Sequence, residues 1–511
     1  MPARDNDLFD PPTTDLRRRV TRGALHTGAA QAVRMATQFG SAVLLSRLLA
    51  PPDIGLMAMA WPIFAFALLF QELGLTQAVV QKATITYGEL NTLFWINLSA
   101  SAVLGLALAA AGPLATAFYA DGRAGLLTSA MSLSVLIAGL GAQPGAILNR
   151  RMAFGQLALI DAAGAVAGLA VSVAWALVAP NYWALYAGLI ANTLFTTAGQ
   201  WRAAAWTPSR PRLTGGWRDL LQFGAGLTGF NIANFFARNL GSILIGRYQG
   251  NAALGLYDRA YKLLLFPLQQ INGPLARVSV PALARLVEEP DRYRNAYLRT
   301  LTQALLLSLP GVAFMTAMAG DLIPALLGEK WREVAPIFAA LGFAGFLQPL
   351  NNTAGWLFMS QGRAQEYMRW GFVTAVTAIA AFVAGLPFGP FGVAAAYAAS
   401  EYVRTPMLWW YIGRRGPVRA RDVARCATPH VAGVAASYAA LAWGAALLPT
   451  ALPVKLLIGV TLSYAVSFIV IALFPSGRST ISESLALAKG LRIPLLPRHR
   501  PAGTETPVSR Q

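Results

Sequence analysis

The chain is 511 residues long, 56% hydrophobic and only 12% charged, with a mean hydropathy of +0.49. Soluble domains carry roughly 25% charged residues, so a soluble globular protein is excluded. A net charge of +19 would suggest nucleic acid in a soluble protein, but here Lys and Arg gather in alternate loops, the positive-inside pattern, and no nucleic-acid partner is expected.

The first 23 residues are polar and end in the basic run Leu16-Arg17-Arg18-Arg19-Val20-Thr21-Arg22. The helix that follows lacks the short apolar core and small-residue cleavage site of a secretory leader. It is predicted to be an uncleaved anchor whose amino terminus stays in the cytoplasm. Apolar runs of about 20 residues then recur, each long enough to cross a hydrocarbon core of about 30 Å. Read between breaker clusters, they predict about fourteen spans. These lie at 25–47, 54–79, 91–113, 124–147, 157–179, 183–203, 220–246, 254–281, 300–320, 334–358, 368–387, 391–412, 429–448 and 455–475. With the amino terminus inside, about 29 of the 41 Lys and Arg fall on the cytoplasmic side, about six outside and about six within spans.

The chain thus reads as an all-α integral membrane protein with about 14 transmembrane helices in two pseudo-symmetric six-helix lobes plus two extra helices. The segments are a cytoplasmic basic amino-terminal stretch (1–23), the first lobe (24–209), the second lobe (210–412), two additional helices (413–475) and a basic cytoplasmic tail (476–511). The Pro- and Arg-rich tail is expected to dock loosely on anionic headgroups. Trp95, Tyr119, Tyr182, Trp183, Trp409, Trp410 and Tyr411 sit near run ends, as interface anchors or as ordinary packing.

A polar stripe appears twice, 200 residues apart. Gln31, Arg34, Gln38 and Ser41 form one copy; Asn231, Asn234, Arg238 and Gly241 form the other. Steps of three and four residues put each set on one helix face. Each stripe ends in a related hinge, Ser46-Arg47-Leu48 … Gly55-Leu56 against Gly246-Arg247-Tyr248 … Gly255-Leu256. The shared phase implies two halves facing one another across a polar, partly cationic cavity, which is how a transporter reads.

Ionisable groups at bilayer depth are costly and usually face a bundle interior or water. Arg34, Arg238, Arg259 and Lys262, with Gln31, Gln38, Asn231 and Asn234, are the candidate substrate-binding residues. Basic groups in a low-dielectric setting attract anions, and guanidinium forks suit phosphate oxygens. Glu72, matched by Asn272 in the second half, and Asp161 and Glu401 are candidate ion-coupling residues. Structural readings stand beside these: Asp258 bridging Lys262, Arg259 and Arg277 snorkelling to headgroups, Glu401 neutralising Arg404, Asp161 capping its helix. The amides can bond sugar hydroxyls or glue helices together.

No catalytic residue, metal site or cofactor is expected. His26, His430 and His499 are scattered, the lone Cys426 gives no cysteine-rich metal site, and no phosphate-cradling loop suggests ATP hydrolysis. Coupling to a proton or sodium gradient is implied only by the family resemblance of the segments that follow.

Several segments then resemble a known family: Ser46-Arg47-Leu48-Leu49-Ala50-Pro51-Pro52-Asp53-Ile54-Gly55, Gln71-Glu72-Leu73-Gly74-Leu75, Thr92-Leu93-Phe94-Trp95, Arg150-Arg151-Met152-Ala153-Phe154 and Leu254-Gly255-Leu256-Tyr257-Asp258-Arg259-Ala260-Tyr261. They resemble the polysaccharide-transporter branch of the multidrug/oligosaccharidyl-lipid/polysaccharide exporter superfamily, the Wzx-type flippases near the colanic-acid and succinoglycan exporters. The resemblance spans about residues 20–475. It implies an undecaprenyl-pyrophosphate-linked oligosaccharide as cargo, moved by alternating access across the bacterial inner membrane for exopolysaccharide or lipopolysaccharide biosynthesis. Both termini would be cytoplasmic, with membrane lipid, a glycan polymerase and export machinery as partners and a monomer sufficient for transport. A lipid II flippase and a cation-coupled drug antiporter share the fold. The antiporter is disfavoured because this cavity is predicted to be basic, and a glycan polymerase or ligase because no large external loop is present.

Overall fold

The structure, a computed structural model, describes residues 16–71, 79, 85–211, 217–444 and 451–488, with side chains over 27–71, 79, 85–211, 235, 239–444 and 451–482. All regular elements among the described residues are helical. In chain order they are α1 (Leu16–Leu48), α2 (Pro51–Gln71), α3 (Tyr87–Tyr119), α4 (Gly122–Ala130), α5 (Ser132–Arg150) and α6 (Phe154–Val178). Next come α7 (Trp183–Ala204), α8 (Trp217–Ala284), α9 (Pro290–Ala317), α10 (Ala319–Leu327), α11 (Val334–Gly345) and α12 (Gln348–Ser360). The last are α13 (Ala364–Gly385), α14 (Gly389–Gly413), α15 (Ala420–Gly444), α16 (Leu452–Leu473) and α17 (Pro475–Ala488).

Each run read from the sequence carries helix over most of its described residues, with three departures in detail. The run at 124–147 is two helices meeting at Met131. The runs at 220–246 and 254–281 join in α8, broken only at Gly250, whose φ of 83° suits glycine. The run at 334–358 is two helices, α11 and α12. Among the described residues, seven helical segments are long and apolar enough to cross a membrane, with α4–α5 and α13–α14 each counted as one, or eight if α11 and α12 form one span.

The chain forms two compact units. One comprises Met1–Pro267, Met318–Gly345 and Ala364–Arg404; the other comprises Leu268–Ala317, Phe346–Arg363 and Thr405–Gln511. In the first, α6 packs on α1 and on α7. Gly164, Gly168 and Ser172 on α6 meet Gly188, Asn192 and Thr196 on α7, so the two backbones approach closely. A Cβ on Gly188 would lie 1.8 Å from the Ser172 hydroxyl. The start of α3 straps the segment after α7. The Asn91 amide donates to the Arg210 carbonyl at 3.0 Å and accepts from the Ser209 amide at 2.8 Å, while Trp95 Nε1 donates to the Ser209 carbonyl at 2.9 Å. Arg150 and Arg151, expected on a cytoplasmic loop, donate to the carbonyls of Val79 and Ala204. Arg151 thereby places a cation at the carbonyl end of α7.

At the far end of α1 the chain closes a reciprocal cap. Arg47 Nε donates to the Leu326 carbonyl at 2.9 Å, while Lys330 Nζ and Trp331 Nε1 donate to the carbonyls of Arg47 and Ser46. Two helix carboxy termini therefore satisfy each other's last carbonyls.

In the second unit, α9, α15 and α16 share serine-lined contacts. Ser437 donates to the Ser463 carbonyl at 2.8 Å and bonds the Ser467 hydroxyl at 2.7 Å. Ser463 and Tyr464 donate to the carbonyls of Pro310 and Leu307, beside the proline that interrupts the α9 ladder. Of the expected interface anchors, Tyr119 and Trp409 are buried. Trp409 packs on the Tyr297 ring at 6.3 Å, whereas Trp410 is exposed and carries the Arg414 guanidinium 4.5 Å from its ring centre.

Candidate substrate site

The α1 stripe is open. Gln31, Arg34 and Gln38 are exposed and Ser41 is half-buried on a helix that packs against α6. Arg34 Nη1 stands 3.8 Å from Asp161 Oδ2 on α6, with the two side chains 55% and 40% exposed. A unit-charge pair at that range is worth about 1 kcal/mol in water and about 4 kcal/mol at an effective dielectric of 20. The separation exceeds a hydrogen bond. The two side chains therefore form a half-exposed ion pair without a hydrogen bond.

The second stripe lies on α8. Asn231, Asn234 and Arg238 fall on its helical backbone, and their side chains lie outside the described residues, as does all of Glu72. What the structure does show is how α1 and α2 meet α8. A Cβ on Gly55 would sit 1.7 Å from the Asn251 carbonyl oxygen, and one on Gly255 would sit 2.0 Å from the Pro51 carbonyl oxygen. The two contacts exchange under the 200-residue offset that relates the stripes. The aromatic contacts nearly do so as well: Phe39 meets Phe266, and Phe66 meets Phe235, each with ring centres 5.4 Å apart. A pseudo-twofold relation thus links residues 31–66 to residues 231–266, and it brings the two stripe-bearing helices into one unit.

The remaining candidates divide. Lys262 is exposed and bridges Asp258 at 2.8 Å across one turn. Arg259 is 8% exposed, and its Nε has no hydrogen-bond partner among the described residues. Arg277 is exposed. Glu401 is buried against Arg404, which also donates to the Thr374 carbonyl at 3.0 Å and the Thr377 hydroxyl at 3.1 Å. The structure therefore holds Glu401 in a buried structural pair and leaves Asp161 half in water. Asn239 spends its amide on the Phe235 carbonyl of its own helix. Asn272 is buried, with neither amide atom partnered among the described residues.

Asp121 is a polar link the sequence reading missed. It caps α4 by accepting from the Arg123 amide at 2.9 Å, pairs with the Arg123 guanidinium and accepts from Asn251 at 3.1 Å. Asp121-Gly122 at the end of an apolar run was the available signal. Burial pushes its carboxyl up, but the hydrogen bonds from Arg123 and Asn251 outweigh it and hold the group below the usual carboxylate range.

A helical bundle of this kind, with an open cationic stripe and a pseudo-twofold seam, defines a multi-pass membrane protein of the transporter class. The fold is similar to that of lipid II flippase MurJ in its inward closed conformation, at a TM-score of 0.70 and 13% identity over 88% of this chain and 98% of that one. In sequence, the family described as polysaccharide biosynthesis protein matches residues 44–336, more than half of the chain, and the chain belongs to that family. Among its relatives is the lipopolysaccharide biosynthesis protein WzxC of Escherichia coli, 23% identical over 76% of this chain and 80% of its own. The succinoglycan biosynthesis transport protein ExoT of Rhizobium meliloti is 26% identical over 68% of this chain and 70% of its own.

Proposed function

We propose that the protein is a flippase, not an enzyme, and that it translocates undecaprenyl-pyrophosphate-linked oligosaccharide repeat units across the bacterial inner membrane by alternating access through a cationic cavity. Both termini are cytoplasmic in this reading, and the repeat units feed exopolysaccharide or lipopolysaccharide assembly. The observation that carries it is Arg34, a half-exposed guanidinium on a polar helix face, loosely paired with Asp161, in a chain of the polysaccharide biosynthesis family.

A pyrophosphate offers a guanidinium two oxygens in fork geometry, where Asp161 offers one at long range. Cargo entry displaces the carboxylate, Gln31 and Gln38 bond the adjoining sugar hydroxyls, and Arg238 answers Arg34 from the second stripe. Asp161 and the cargo anion thus alternate on Arg34, which makes Asp161 the candidate ion-coupling residue of this reading. Asp161 suits this role better than Glu401, whose carboxylate is committed to Arg404. The lipid II reading rests on fold likeness alone, whereas named relatives in sequence belong to lipopolysaccharide and succinoglycan biosynthesis.

The test is transport in reconstituted vesicles. Arg34→Ala combined with Arg238→Ala should leave the protein inserted and slow translocation of lipid-linked oligosaccharide by roughly 10- to 100-fold, the worth of a charge-assisted bond of about 1.5–3 kcal/mol. Lys at either position should rescue only in part, since the fork is lost. Normal translocation by the double Ala variant would sink the cationic-cavity mechanism.

A further inference from the structure

Arg259 is buried without an answer to its charge. It is 8% exposed, and its Nε is sealed from solvent. Among the described residues neither a hydrogen bond nor an ion pair reaches its guanidinium. Asp258, next to it in the chain, is bonded to Lys262 at 2.8 Å. Taking an ion out of water with no hydrogen-bonded partner is costly, so the position needs a reason beyond packing.

Its place in the fold supplies one. Gly255, one turn before Arg259, presses on the Pro51 carbonyl, so Arg259 lies on the seam face of α8. The residue matching it under the 200-residue offset is Met59, one turn beyond Gly55 on α2. Met59 is 1% exposed, and a Cβ on Gly246 of α8 would come within 3.3 Å of its Cγ. Just inside the glycine contact, the seam therefore buries a thioether from one half and a guanidinium from the other. Packing alone needs only the first. At 1.5 Å per residue, Arg259 is about 14 Å from the break at Gly250, and Arg34 is about 21 Å from the end of α1 at Leu48. In the proposed topology those ends face outward, so Arg259 stands outward of Arg34. Arg34 is open and Arg259 is shut.

We propose that Arg259 is the phosphate-binding residue of the outward-open state, hidden for as long as the seam is closed. Parting of α2 from α8 uncovers the guanidinium, and the cargo's phosphate groups pass to it from Arg34 before release. The identity of the anion rests on the flippase reading; the hidden anion site itself does not. An anion that binds only the parted seam shifts the equilibrium towards that state, so the site is measurable without cargo.

The test reads the seam directly. Met59→Cys, in the full chain with Cys426→Ala, is labelled from outside right-side-out vesicles by a membrane-impermeant maleimide. At constant ionic strength, millimolar inorganic pyrophosphate added outside should raise the labelling rate by roughly fivefold or more. Arg259→Gln and Arg259→Met should each abolish the rise, and Arg259→Lys should keep part of it, since the fork is lost. Both neutral variants remove a buried charge and should fold at least as well as their parent. Leu56→Cys, three residues earlier and fully buried, serves as reporter if Met59→Cys disturbs the seam. An equal rise in the neutral variants, or no rise with Arg259 in place, overturns the proposal. Transport then assigns the anion. With lipid-linked oligosaccharide supplied inside, Arg259→Gln should cut turnover by roughly tenfold or more and leave KM within about twofold, because loading at Arg34 is untouched. A pyrophosphate response with normal turnover would assign the site to a free phosphate anion at the outer face. A wild type that moves no lipid-linked oligosaccharide would sink the flippase reading and leave the labelling result to judge the site.

Discussion

Asp121 shows how a single carboxylate outside the spans joins two parts of the chain. It caps α4, pairs with Arg123 and reaches Asn251. Because its folded pKa is depressed, its contribution is fully present above the unfolded carboxylate value of about 4 and is lost as pH falls through the folded value. Asp121→Ala should lower stability by about 0.5–2 kcal/mol at neutral pH, the usual worth of an N-cap. In thermal unfolding in detergent, the gap between variant and wild type should narrow below about pH 4; a gap independent of acidification would refute the assignment. Residues differ in how far the sequence exposes them. Arg34 stands out unaided, since a charge in an apolar run on a repeated face has few explanations. Its pairing with Asp161 does not, because α1 and α6 meet only through tertiary packing. Glu401 and Arg404 were readable as neighbours three apart, but their burial beneath Thr374 and Thr377 was not.

At the scale of elements, periodicity and breaker clusters locate the helices well because membrane spans must satisfy their backbone internally. They locate joints less well. Met131 interrupts one apolar run with no proline or glycine to announce it, and the reciprocal cap between α1 and α10 joins residues 285 apart. That cap has a measurable worth. Trp331 is fully buried, and its indole N–H is donated to the Ser46 carbonyl at 2.6 Å. Trp331→Phe keeps much of the apolar bulk and strips the donor, so stability should fall by about 1–3 kcal/mol, the penalty for an unsatisfied buried carbonyl. An unchanged unfolding midpoint would mean that another donor, such as Lys330, takes over.

For the molecule as a whole, the fold class was legible from composition and the spacing of apolar runs, and the family from short motifs along the chain. The tight approach at Gly55 and Gly255 was marked in the sequence only as a repeated glycine; the reason glycine is required there, a carbonyl in the space of its Cβ, is three-dimensional. Gly55→Ala and Gly255→Ala should each force the seam between α2 and α8 apart. Since both press on the same contact, the second substitution should add less than the first, giving a coupling of about 0.5–3 kcal/mol in a double-mutant cycle of unfolding free energies. Strict additivity would show that the two glycines serve separate contacts.

That seam is self-complementary in the sense used for twofold dimers: the patch around 51–55 takes the patch around 251–255, and the reverse. A surface of this kind does not distinguish its own chain from a neighbour. What keeps it within one chain is the peptide link between the halves, which gives the partner patch a local concentration on the order of millimolar. Severed between the halves, the protein should reassemble as a heterodimer in competition with paired copies of either half, so covalent continuity here works as a choice of partner.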